Sequence, residues 1–150
     1  MYKTNFTNKL TKAIVDIFFY LGIATCISVP FVTPRLIRYL DLSESLITPT
    51  IITLLLSGAC AVFIIYQLKK TFKTLVTGNP FVIENTLYLK RMSIAAFIIS
   101  LIFTIKLFYW FTFATVIIVL VFLIAGLFCL TLKDLFAQAV KFKEDNDLTI

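Results

Sequence analysis

Two ionisable residues lie within long apolar stretches of the chain: Asp16 in the first and Lys106 near the end of the third. A charge held at mid-membrane costs at least about 2.5 kcal/mol, so such residues are the first physical pointers to a site. Asp16 falls less than two helical turns from one boundary, where it reaches Lys12 four residues back. Lys106 falls near the opposite boundary, where its long stem lets the ammonium snorkel toward Asp41 or Glu44. Their opposite depths argue against a midplane relay of the kind that secondary transporters use. The chain has no histidine, which removes the commonest general base, metal ligand and pH switch together. Cys26, Cys60 and Cys129 occupy three different apolar stretches without a close pair, so they read as small packing residues. No nucleophile is spaced with a base and no cofactor loop is visible, so catalysis, a cofactor and a metal site are not expected. The acidic residues Glu144, Asp145 and Asp147 lack the full ligand set and turn glycine of a calcium loop; a solvated or partner-binding tail is the expectation.

The elements that position these residues are set by hydrophobicity. Of 150 residues, 60% are hydrophobic and 15% charged, with a mean hydropathy of +0.98, well above a soluble domain. Four apolar stretches, at about 13–32, 46–67, 93–113 and 114–132, are each long enough to cross a bilayer. A helix rises about 1.5 Å per residue, so roughly 20 apolar residues cover a hydrocarbon core about 30 Å thick. The expectation is one all-α domain, a four-helix transmembrane bundle in contact with the lipid bilayer, with helices extended into the cytoplasm. The first stretch is not expected to be a cleaved signal peptide. Asp16 interrupts it early, and it continues past Cys26 through Val29, Phe31 and Val32.

Orientation follows from the basic residues. The N-terminal segment carries Lys3, Lys9 and Lys12, the middle loop Lys69, Lys70, Lys73, Lys90 and Arg91, and the tail Lys133, Lys141 and Lys143. Only Arg35, Arg38 and Lys106 mark the other side, so the positive-inside rule puts both termini and the middle loop in the cytoplasm. The net charge of +6 is thereby explained by topology and membrane phosphates, and direct nucleic-acid binding is not expected. The aromatic cluster Phe108, Tyr109, Trp110, Phe111 and Phe113 suits headgroup depth at the outer turn between the third and fourth spans.

Pro30 and Pro34 are expected to close the first span, with Arg35 to Leu46 lying as a short amphipathic turn at the outer surface. Thr48 and Pro49 suit the start of the second helix, which continues past the membrane because Tyr66, Leu68, Phe72, Leu75 and Val76 extend its apolar face. Thr77-Gly78-Asn79-Pro80 ends it, and the next helix runs from Phe81, with Glu84 in its first turn. The fourth helix also overruns the membrane and is expected to fray near Glu144. Small residues, Gly22 and Cys26, Ser57-Gly58-Ala59-Cys60, and Ala96, Ser100 and Thr104, let helices approach closely in lipid; a homodimer face is an alternative use of such stripes.

Gly78-Asn79-Pro80-Phe81, followed by Glu84-Asn85 and the pair Lys90-Arg91, and the terminal Glu144 with Asp147-Leu148-Thr149-Ile150, carry a resemblance. In these motifs and in span order the chain resembles the YoaS-like family of small bacterial four-span membrane proteins of unknown function. The resemblance implies a bacterial cell-membrane location. It also implies an association with a small helix-turn-helix transcription regulator, beside which members are often encoded. The surface expected to bind such a regulator is Gly78 to Arg91 together with Lys133 to Ile150. The alternatives are immunity or tolerance toward membrane-active peptides, and a small transporter.

Overall fold

The computed structural model describes residues 6–76 and 82–148. The chain forms four long helices, α1 (Phe6–Tyr39), α2 (Ile47–Val76), α3 (Ile83–Tyr109) and α4 (Phe113–Leu148), with one 3-10 turn, Glu44–Leu46, before α2. There is no strand among the described residues. All four helices are long and apolar enough to cross a membrane. At about 1.5 Å per residue, the 36 residues of α4 extend roughly 54 Å, well beyond a hydrocarbon core of about 30 Å.

Each helix packs on the next in the chain, with no comparable contact of α1 with α3 or of α4 with α1 or α2. The contacts run antiparallel. Asp16 meets Lys69 while Cys26 meets Gly58; Asn85 meets Thr74 while Tyr109 meets Thr53; Ser100 meets Val119 while Gly126 meets Phe97. The molecule therefore has a hairpin end, where α2 turns to α3, and a Trp110 end, where α3 turns to α4. Burial is unequal: 39% of the apolar window of α3 is inside, against 6% for α1, so α3 is the central helix and α1 is largely left to lipid.

The inside and outside are composed as lipid demands. The buried residues include Thr50, Thr53, Ser57, Gln67, Thr71, Asn85, Ser93, Ser100 and Thr115, whereas Phe18, Phe31, Phe108, Phe113, Ile117 and Ile124 are exposed. In water that exterior would be an aggregation surface. In lipid a large apolar side chain gains little by turning inward, so the interior goes to small and hydroxyl residues that let helices approach. Gly58 sits so close to α1 that a Cβ there would lie 2.7 Å from Cys26 Sγ, and one at Gly22 would lie 3.2 Å from Val62.

Several expected boundaries shift. α1 does not close at Pro30 or Pro34 but continues through both to Tyr39, so Arg35 and Arg38 belong to the helix and not to a separate amphipathic turn. Each proline removes one amide donor, leaving the carbonyls of Cys26 and Pro30 without their i+4 partners. Neighbouring side chains and local adjustments compensate for such losses in membrane helices. The real stop is a Schellman motif: Asp41, at φ 52°, takes the left-handed position, with Asp41 N–H bonded to Arg38 O and Leu42 N–H to Ile37 O, both at 3.1 Å. The third span ends at Tyr109, before the expected 113, because Trp110 at φ −149°, ψ 94° leaves helical geometry. α4 does not fray at Glu144 but continues to Leu148.

Candidate functional site

The hairpin end gathers the basic residues onto helix surfaces. Lys69, Lys70 and Lys73 lie in the last turns of α2, and Lys90 and Arg91 lie two turns into α3. They are organised by a polar seam. Thr50, Thr53, Ser57, Gln67, Thr71 and Thr74 fall on one face of α2 at helical spacing, the first five of them buried. Opposite them on α3 stand Asn85 and Ser93, both 0% exposed, and Ser100.

Asn85 Nδ2 donates to Thr74 Oγ1 at 2.7 Å, and the Thr74 hydroxyl, having one proton, donates to Thr71 O at 2.7 Å. Farther along, Ser100 Oγ donates to Val119 O at 3.1 Å, tying α3 to α4. At the Trp110 end, the Tyr109 hydroxyl donates to Pro49 O at 3.2 Å and accepts from Thr53 Oγ1 at 2.7 Å. Gln67 Oε1 and Ser93 Oγ are buried with no hydrogen-bond partner among the described residues.

The charges pair differently from expectation. Asp16 forms an ion pair with Lys69 of α2 at 2.9 Å, not with Lys12 of its own helix. The Lys69 ammonium also lies 5.3 Å from the Phe19 ring centre and 5.7 Å from that of Tyr20, so α1 is tied to α2 by charge and by ring faces. Lys106 reaches neither Asp41 nor Glu44; Glu44 instead pairs with Arg38 at 3.3 Å. Lys106 Nζ donates to Thr115 Oγ1 at 3.2 Å and lies 5.0 Å from the Trp110 ring centre, so the turn between α3 and α4 folds back over it. The two charges remain at opposite ends of the molecule.

Of the other motif residues, Asn85 is inside the seam, whereas Glu84, Lys90, Arg91 and Glu144 are exposed. Gly78, Asn79, Pro80, Phe81, Thr149 and Ile150 lie outside the described residues, as do the side chains of Asp147 and Leu148. Lys70 sits over two rings, 4.5 Å from the Tyr66 centre and 5.6 Å from that of Tyr88. Lys133 pairs with Asp134 at 2.8 Å. Among the described residues no group of three or more His, Cys, Asp or Glu converges as a metal site, and the three cysteines are free thiols.

The reading of the residues alone overlooked the seam. Its signal was present, since Thr50, Thr53, Ser57, Gln67, Thr71 and Thr74 recur at spacings that return to one helix face. It also overlooked Lys69 as the partner of Asp16, because that pairing requires the register of α1 on α2.

No curated protein and no solved structure matches the chain significantly. A family model described as a protein of unknown function, DUF2975, matches residues 9–150, nearly the whole span. The chain belongs to that family.

Proposed function

We propose that the chain is a non-enzymatic regulatory protein of the bacterial cell membrane. Its cytoplasmic end holds a small helix-turn-helix transcription regulator at the bilayer. The observation that carries this reading is the exposed end of α4. Residues 141–146 are all exposed on a continuing helix, and Phe142 is 69% exposed among Lys141, Lys143, Glu144 and Asp145. An exposed aromatic ringed by charges has the composition of an interface anchor with a polar rim. The same end carries Glu84, Lys90 and Arg91 on α3, so two helices present polar groups toward one side of the membrane. The excess of basic residues there supports a cytoplasmic orientation. The identity of the partner as a transcription regulator rests on the gene association that the motif resemblance implies.

The test is co-expression of the full chain with the regulator encoded beside it. The regulator should sediment with the membrane fraction and return to the soluble fraction on deletion of 144–150 or on Phe142→Ser. Unchanged membrane recovery and reporter output in both variants, and in Asn79→Ala and Glu84→Gln, overturn the reading.

A further inference from the structure

Between α2 and α3 lies an apolar groove of about 410 Å³ lined by Ala59, Cys60, Phe63, Arg91, Ala95 and Ile98. Its volume falls within the range of small-ligand pockets. Every lining residue is apolar except one, Arg91, at the hairpin end. The groove runs along α3 from Arg91 to Ile98, about 10 Å at the helical rise, against roughly 15 Å for one leaflet of a bilayer core.

The pattern continues toward the hairpin. On α2, Cys60, Phe63, Tyr66 and Lys70 follow one another along one face; on α3, Ile98, Ala95, Arg91 and Tyr88 do the same. Lys70 lies over the rings of both Tyr66 and Tyr88, so its ammonium is held at the mouth of the groove, within about a turn of Arg91. Neighbouring cations are neutralised, Lys69 by Asp16 and Lys133 by Asp134, but no ion pair engages Lys70 or Arg91 among the described residues. The acidic group nearest along α3 is Glu84, an exposed residue two turns before Arg91 and about 10 Å away along the axis.

An apolar slot within the depth of one leaflet, flanked at one end by two cations that form no ion pair among the described residues, complements one kind of molecule. We propose that the groove between α2 and α3 is a binding site for an anionic phospholipid. Its phosphate lies between Arg91 and Lys70, and one acyl chain lies along Cys60, Phe63, Ala95 and Ile98. Arg91 offers the phosphate a planar fork of donors and Lys70 a point charge. The rings of Tyr66 and Tyr88 supply the amphipathic border at headgroup level. This assignment does not depend on the regulatory reading above.

The experiment uses the full chain with Phe63→Trp in a Trp110→Phe background, which places the sole tryptophan in the groove. The protein is reconstituted into phosphatidylcholine vesicles, and quenching by dibrominated phosphatidylglycerol is compared with quenching by dibrominated phosphatidylcholine. The expected result is a phosphatidylglycerol preference that falls about fivefold with each of Arg91→Gln and Lys70→Gln, and is unchanged by Lys133→Gln on α4. Arg91 is exposed and Lys70 half-buried, and far-UV circular dichroism verifies that the helices persist in both variants. Equal quenching by the two lipids overturns the proposal, as does an equal loss in Lys133→Gln, which would mark general surface attraction. So does abolition of the preference by inorganic phosphate at matched ionic strength, which would mark an anion site without a chain. Absence of quenching by either lipid also overturns it, because a protein surface would then cover the groove.

Discussion

Gly126→Ala tests the packing of α3 on α4 by reversing sign with its background. An added Cβ at Gly126 would lie 2.7, 2.9 and 3.0 Å from three ring atoms of Phe97. The optimum carbon separation is about 3.5–4.0 Å, so the ring as a whole must move, not a single flexible end. Forcing a methyl into a packed interface costs about 1–3 kcal/mol. Replacing glycine by alanine within a helix returns about 1 kcal/mol of propensity. The two terms leave Gly126→Ala destabilising by roughly 0–2 kcal/mol in the natural chain. In a Phe97→Ala background the collision is gone and only propensity remains, so the same change should stabilise by about 1 kcal/mol. The assay is unfolding of the purified chain in mixed micelles titrated with dodecyl sulfate and followed by far-UV circular dichroism, for the four members of the cycle. A coupling of about 1–3 kcal/mol between the sites is expected. If Gly126→Ala stabilises by the same amount in both backgrounds, the ring does not occupy the space above this glycine and the reasoning fails.

Three further outcomes follow from single contacts. Asn85→Ala, which removes the amide that donates to the Thr74 hydroxyl across α2 and α3, should cost about 1–3 kcal/mol and speed amide exchange at the ends of α2 and α3 while leaving the α3–α4 turn protected. Tyr109→Phe removes the bonds to Thr53 and Pro49 and should cost about 1–2 kcal/mol in the same micellar titration, with little further loss when Thr53→Ala is added. Asp41→Gly should stabilise by up to about 1 kcal/mol and Asp41→Val should destabilise, because the position requires a left-handed backbone; thermal unfolding of the two variants checks the order.

The spans were legible because bilayer thickness reduces their detection to counting apolar residues. The four expected stretches at about 13–32, 46–67, 93–113 and 114–132 all fall within observed helices except at the turn of Trp110 to Thr112. Pro30 and Pro34 misled because their penalty was weighed as in water, where a freed carbonyl finds solvent and the chain can turn. In lipid an irregular backbone is costlier still, so the helix persists to Tyr39 and stops only at the left-handed Asp41. Partners of the charged residues were harder to read, since each pairing crosses helices. Asp16 to Lys69 depends on the register of α1 against α2, which the small residues Gly22, Cys26 and Gly58 determine by contact rather than by any local pattern. Lys106 to Thr115 was more accessible, because the two residues flank a three-residue break and must face one another across it.

The distribution of polar groups separates what holds the molecule together from what it presents. Threonines and serines of α2, with Asn85, Ser93 and Ser100 of α3, are buried, and the bonds of Asn85, Ser100 and Tyr109 join α2 to α3 and α3 to α4. On α1 the Asp16 carboxylate accepts from Lys69 of α2 at 2.9 Å, while the Thr25 and Ser28 hydroxyls donate back to Leu21 O and Ala24 O within the helix. What ties α1 down is the Asp16–Lys69 pair, the close approach at Gly58 and an exposed Arg38–Glu44 pair of the kind that contributes at most about 1 kcal/mol. By burial, α2, α3 and α4 with α3 at the centre are the firmer unit, and α1 is the peripheral helix. The cations Lys70 and Arg91 stand on the firm unit, as does the exposed end of α4. A surface that must present a fixed geometry to a lipid headgroup or to a protein is better built there than on α1, because rigid elements hold side chains in register at no further ordering cost.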